Sequence, residues 1–197
     1  MILIVDNTEN LKKAYMTPLI IDYLKNKNIQ THIFDAKKDS YNTVFDLPFK
    51  GIILSGGPLL LSQDCDNTVL DNNVAIVHHF KGKIPILGIC LGCQIIAFLC
   101  GGNIYLSGRE SKGIFSANKT TNGNYSVLLH NFPTTFQIYL EHKDLITLNN
   151  NKFTVTSICD NIIMSIENKK EKLYGTQFHP EALESTKIII ENFLTVC

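Results

Sequence analysis

The chain carries no excess of either charge. Its 18 Lys and Arg balance 18 Asp and Glu, so the formal net charge is zero. A neutral protein has no general electrostatic draw toward nucleic acid or an anionic membrane. Arginine is almost missing, and Arg109 stands alone among lysines. The guanidinium fork that favours base and phosphate recognition is therefore scarce, and no nucleic-acid partner is expected. No apolar run approaches the roughly 18 residues that suggest a membrane span. The apolar start, Met1-Ile2-Leu3-Ile4-Val5, stops at Asp6 and has no basic flank. It reads as a buried strand rather than a signal peptide, and a cytoplasmic location is expected.

In that compartment the six cysteines (Cys65, Cys90, Cys93, Cys100, Cys159 and Cys197) read as thiols. Cys90 and Cys93 form a CxxC, but no second CxxC or nearby His pair completes a metal set. Asp64, Cys65 and Asp66 are likewise too few for a metal site. A GxxxxGK[ST] phosphate loop is absent, so the chain has no ATP-binding signature of that type. Internal repeats, low-complexity tracts and linkers are absent too. With 197 residues and 45% hydrophobic content, one domain over residues 1–197 is expected.

What is present is a regular alternation. Strands are predicted at Met1–Val5, Thr31–Phe34, Gly51–Leu54 and Pro85–Ile89. Helices are predicted at Leu11–Asn26, Thr68–Phe80 and Leu91–Cys100, the last closed by Gly101-Gly102. Such alternation implies an α/β fold: an open, mostly parallel twisted sheet with helices on both faces, flavodoxin-like. The second half is β-rich. Strands are predicted at Asn103–Leu106, Ser126–Leu129, Phe136–Leu140, Phe153–Ile158, Ile162–Glu167 and Leu173–Gln177, and a final helix at Glu184–Leu194. Asn149-Asn150-Asn151 reads as an exposed turn and Lys169–Lys172 as a solvated hairpin turn. His78 and His79 suit the cationic end of a helix.

Chemistry concentrates at Gly88-Ile89-Cys90-Leu91-Gly92. Glycine two residues to either side of Cys90 relieves the crowding of a strand that turns abruptly into a helix. The same elbow carries serine in hydrolases of related architecture. It would lift the sulfur to a helix N-terminus, where free N–H groups favour a thiolate. The alternative for a lone Cys is a buried structural thiol. Gln94, one helical turn on, can face the same pocket and both donate and accept. Ser55-Gly56-Gly57-Pro58 closes the neighbouring strand. Its N–H groups, with that of Leu91, can form an oxyanion hole. Eighty-five residues after Gln94 comes His179-Pro180-Glu181. There a carboxylate can fix one imidazole nitrogen and leave the other for Cys90.

GICLGCQ, SGGP and FHPE, in this order and spacing, resemble the class I, triad-type glutamine amidotransferases over essentially the whole chain. That resemblance implies Cys90 as nucleophile, His179 as general acid/base and Glu181 as its orienting partner. It implies oxyanion N–H groups from Gly57 and Leu91, and glutamine contacts from Gln94, Gly56 and Gly57. Within the family the chain looks most like the separate glutaminase subunit of two-subunit GMP synthases. The start MILIVDN, the stretch Gly51–Pro58, Glu141-His142-Lys143-Asp144 and YGTQFHPE carry that likeness. It places His142 and Asp144 near a subunit interface, in signalling or glutamine positioning; their alternative is a polar turn after a strand.

Three stretches depart from that group. Glu141 stands where serine is usual, Gly108–Gly113 matches the expected glutamine-contact loop only loosely, and Ala182–Ser185 replaces Val-x-His-Thr. The implied substrate is L-glutamine and the implied partner an ATP-pyrophosphatase-type synthetase subunit. No cofactor is implied in this chain; ATP and Mg would be used by the partner. Other readings are the glutaminase of anthranilate or aminodeoxychorismate synthase, a stand-alone γ-glutamyl hydrolase, and a catalytically silent regulatory subunit.

Overall fold

A computed structural model describes residues 1–8, 10–12, 14–63 and 67–197. The reading of Asp64, Cys65 and Asp66 lies outside them. Among the described residues one sheet of nine strands forms. Its first part comprises β1 (Ile2–Asp6), β2 (Thr31–Asp35), β3 (Gly51–Leu54), β4 (Ile86–Ile89) and β9 (Leu173–Thr176). Its second comprises β5 (Asn103–Lys119), β6 (Thr135–Thr147), β7 (Thr154–Cys159) and β8 (Ile162–Asn168). The order is β2-β1-β3-β4-β9-β8-β7-β5-β6. The pairings from β2 to β9 are parallel, and those from β9 to β6 antiparallel. The expected α/β sheet is there, and the β-rich second half is its antiparallel continuation.

Period-two alternation in the short parallel strands explains the two cores. Ile2, Ile4, Ile53, Leu87 and Ile89 pack with Ile20 and Leu24 of α1 (Met16–Asn26) and with Ile189, Ile190 and Phe193 of α4 (Ile188–Leu194). Leu3, Val5, Ile52, Leu54 and Ile86 face the other way. They meet Val69, Ile76, Val77 and Phe80 of α2 (Thr68–Phe80) and Cys93, Ile96 and Ala97 of α3 (Leu91–Leu99). Cys93 and Cys100 are thus core thiols. His78 and His79 lie in the last turn of α2, where His79 stacks on Phe45 at 4.0 Å. No described helix is long and apolar enough to cross a membrane.

Several sequence expectations need correction. The first helix begins at Met16, not Leu11. Pro18 lacks an N–H and is tolerated only in a first helical turn, while Asn10 Oδ1 accepts from Lys12 N in a local turn. Ser126–Leu129 is a turn rather than a strand. The buried Glu167 carboxylate takes the N–H groups of Val127 and Leu128, the latter at 2.9 Å, and Leu129 N donates to Ser126 Oγ, so they are not offered to a ladder. The strand begun at Asn103 runs on to Lys119, with a register shift between Leu106 and Ser111. Gly108–Gly113 therefore lies within a strand, eased by Gly108 at φ 76°. Its partner β6 extends to Thr147, so His142 and Asp144 sit in a strand and not in a turn. The final helix is divided: a 3₁₀ turn at Glu184–Thr186 precedes α4.

Phe193 is fully buried and packs edge-on to Tyr174, fixing α4 to the sheet. Truncation to Ala should cost about 3–5 kcal/mol in denaturant unfolding. Tyr125→Ala, at a residue 77% exposed, should stay within about 0.5 kcal/mol.

Candidate active site

The site collects at the carboxyl ends of the parallel strands, where open α/β sheets place their ligands. β4 ends at Ile89 and α3 starts at Leu91, so Cys90 alone makes the turn. It does so at φ 52°, ψ −106°, in the half of backbone space that side-chain-bearing residues rarely enter. The flanking glycines are required by space. A Cβ on Gly88 would lie 2.4 Å from the backbone of Gly92, and one on Gly92 would lie 2.3 Å from Leu54 O. Strand and helix are in backbone contact there. Cys90 N donates to Thr176 O at 2.8 Å, tying the elbow to the end of β9.

Three residues beyond that strand end comes the buried His179. Its Nδ1–H donates to Glu181 Oε1 at 2.8 Å, and its backbone N donates to Tyr139 O at 2.9 Å. The carboxylate thus fixes the tautomer and turns Nε2 toward the sulfur side. A Cβ on Gly56 would lie 2.8 Å from His179 Cε1, 3.6 Å from Nε2 and 3.5 Å from Cys90 Cβ. Imidazole, cysteine and the SGGP turn therefore share one small space. Burial works against the charged imidazole, but the Glu181 carboxylate and the Cys90 sulfur outweigh it and hold its pKa well above the usual 6.5.

These groups floor a cavity of about 510 Å³, lined among others by Tyr15, Gly56, Gly57, Cys90, Glu141 and His142. The N–H groups of Gly57 and Leu91 have no acceptor among the described residues. Cys90 Sγ approaches Glu141 O at 3.7 Å. The Glu141 side chain binds Lys112 at 2.6 Å and accepts from Tyr15 OH at the cavity mouth. Such a set can hold a thiol beside an acid/base imidazole, with N–H donors free for a developing negative charge. Among the described residues no cluster of three His, Cys, Asp or Glu side chains is arranged to hold a metal.

Cys90, His179, Glu181, Gly56 and Gly57 come together; Gln94 does not line the cavity. It is 3% exposed, and its Nε2 donates inward to Asp144 O (3.1 Å) and Gln177 Oε1 (3.2 Å). Asp144 is buried as well, accepting from Ser62 N at 3.0 Å and from Ser62 Oγ. His142 lines the cavity. Its Nδ1–H donates to Asp144 O at 3.1 Å, leaving Nε2 without a partner among the described residues. Burial, opposed by that carbonyl and reinforced by His179, lowers its pKa to about 4. Sequence reading missed Gln177, whose Nε2 reaches Cys90 Sγ at 3.9 Å. Its signal was an uncharged amide at an otherwise apolar strand end. Cys93, by contrast, is fully buried, and burial raises its thiol well above 9.0.

The sequence model for class-I glutamine amidotransferases matches residues 4–196, and the chain belongs to that family. The glutamine-hydrolyzing GMP synthase of Petrotoga mobilis is 38% identical over 150 residues, which is 74% of this chain. The chain spans only about a quarter of that longer protein, 27%. One subunit of the glutamine-hydrolyzing GMP synthase of Methanococcus aeolicus is 36% identical over 154 residues, covering 75% of this chain and 74% of that one. The crystal structure of a GMP synthase subunit protein from Thermoplasma acidophilum superposes with TM-score 0.83 at 23% identity. It covers 100% of this chain and 92% of its own, and this likeness concerns the fold.

The two histidines should give stability opposite pH dependences. Folded His142 holds its proton less tightly than the unfolded chain does. Stability should therefore fall as pH drops from about 6.5 to about 4, by up to about 3 kcal/mol. His179 holds its proton more tightly when folded. Its contribution is present below about pH 6.5 and is lost as pH rises through the folded-state pKa. Urea unfolding across pH should show a shallower acid limb in His142→Gln than in wild type. Equal limbs would contradict this assignment.

Proposed function

We propose that this chain is a glutaminase that releases ammonia from L-glutamine and passes it to a synthetase partner, for amination of XMP to GMP. The observation that carries the reading is the buried His179–Glu181 pair, 2.8 Å apart, turned toward Cys90 at a strained strand-to-helix elbow. Cys90 is the nucleophile and attacks the side-chain amide carbon of glutamine. Negative charge then develops on the amide oxygen, with the Gly57 and Leu91 N–H groups as its donors. His179 gives its proton to the leaving nitrogen, and ammonia departs from a γ-glutamyl thioester. Water attacks the thioester while His179 takes its proton; glutamate leaves and the thiol is restored. Glu181 keeps the imidazole oriented and favours its charged form.

Identity to proteins named GMP synthase, one of them a separate subunit of that enzyme, supports the acceptor. The partner in this reading is a synthetase of ATP-pyrophosphatase type, which uses ATP and Mg. His142 and Asp144 lie on the strand beside the site, suited to positioning glutamine or sensing the partner.

Cys90→Ala should lower glutamine-dependent formation of GMP by the reconstituted pair about 10³-fold or more. Formation supported by added ammonium salt should change less than about twofold, because the synthetase is untouched. Retained glutamine-dependent activity would overturn the nucleophile. Glutamine hydrolysis without amination of XMP would overturn the acceptor.

A further inference from the structure

We infer that three buried side chains, Asn73, Asn7 and Ser55, act as positioning residues that set the Gly56–Gly57 peptide and aim the Gly57 N–H into the cavity. This rests on the reading of Gly57 as an oxyanion donor. Asn73 lies on α2 and is fully buried, and it does not line the cavity. Its Nδ2 donates to Asn7 Oδ1 at 2.6 Å and to Val69 O at 2.7 Å. Asn7, just past the end of β1, then donates twice to Ser55: Nδ2 to the carbonyl at 2.8 Å and backbone N to Oγ at 3.0 Å. Ser55 N donates to Val5 O at 3.0 Å, and its Oγ–H donates to Gly56 O at 2.9 Å.

The consequence follows from hydrogen counting. A serine hydroxyl has one proton. Accepting from Asn7 N leaves that proton for the Gly56 carbonyl. In a trans peptide the carbonyl and the following N–H point in opposite directions. Holding Gly56 O against Ser55 therefore turns Gly57 N–H the other way, where it meets no acceptor among the described residues. A flipped peptide would put the Gly56 carbonyl where negative charge is to be stabilised. Two adjacent glycines are the backbone most free to make that flip, so something must hold them. Gly57 also rests on the Asn7 carbonyl, which a Cβ there would approach to 2.3 Å. Asn7 thus fixes the turn from both sides. The network is not simply a stable core feature, since Asn73 Oδ1 is buried with no partner among the described residues.

Ser55→Ala removes one oxygen and touches no residue of the proposed triad. In the full chain with its synthetase, kcat for glutamine hydrolysis should fall about tenfold or more, with KM held within about twofold. The alkylation rate of Cys90 by iodoacetamide, a direct displacement with no oxyanion, should stay unchanged. Asn73→Ala, one link further out, should shift the same readouts in the same direction by less. If Ser55→Ala does not fold, Asn73→Ala decides alone. Unchanged kcat in a folded variant overturns the inference, as does a joint change of KM and alkylation rate, which marks general loosening. Cys90→Ala serves as the control. If it still hydrolyses glutamine, the underlying functional reading has failed; if it is inactive while the network variants are not, only the positioning role has.

Discussion

Cys90 holds φ 52° and ψ −106° between a four-residue strand and a nine-residue helix. Such a conformation costs a non-glycine residue on the order of 1–3 kcal/mol, and the surrounding chain leaves it no alternative. Gly88 and Gly92 bring strand and helix into backbone contact, and Thr176 O takes the Cys90 N–H. Relaxing the elbow would break that hydrogen bond and unstack α3 from β3. Strain here is local, and its consequence is directional. The sulfur leaves the sheet edge beside His179 and below the Gly56–Gly57 turn. The rest of the site is arranged around that fixed point.

Both halves of the sheet contribute. The parallel half supplies strand ends carrying Asn7, Ser55–Gly57, Cys90 and His179. The antiparallel half closes the wall, because β6 runs past the site. Tyr139 O anchors His179 N, Glu141 O faces the sulfur, and His142 lines the cavity. Two buried histidines beside the cavity are driven apart by their surroundings. At His179 a carboxylate and a sulfur outweigh burial and favour the charged imidazole; at His142 burial outweighs the Asp144 carbonyl and lowers the pKa to about 4. A proton reservoir and a bare acceptor thus stand side by side without competing.

Much of this was legible in the chain because its causes are local. The glycines around Cys90 follow from steric crowding at one turn, and the span of α2 follows from apolar spacing alone. Long-range causes were not legible. Leu11 to Tyr15 have helical spacing, yet Pro18 sets the helix start. Ser126–Leu129 looks like a strand until Glu167, about forty residues away, takes the N–H groups of Val127 and Leu128. Gly108 and Gly113 suggest a loop, but pairing with β6 carries the strand through them. Gln94 was placed at the right height on α3, but its amide is drawn inward by Gln177 and Asp144. No helical-wheel argument contains those two residues. Ser55 and Asn7 stood in plain view beside the glycines, and only the fold joins them to Asn73.

The central claim is that Cys90 takes up the γ-glutamyl group of glutamine. Acid quenching of the chain during turnover with glutamine and the synthetase, followed by peptide mass spectrometry, tests it directly. One γ-glutamyl group on the peptide containing Cys90, absent without glutamine and weaker when hydroxylamine is added, is the predicted result. Steady release of glutamate with Cys90 unmodified at every time point, or an adduct on another residue, would contradict the account.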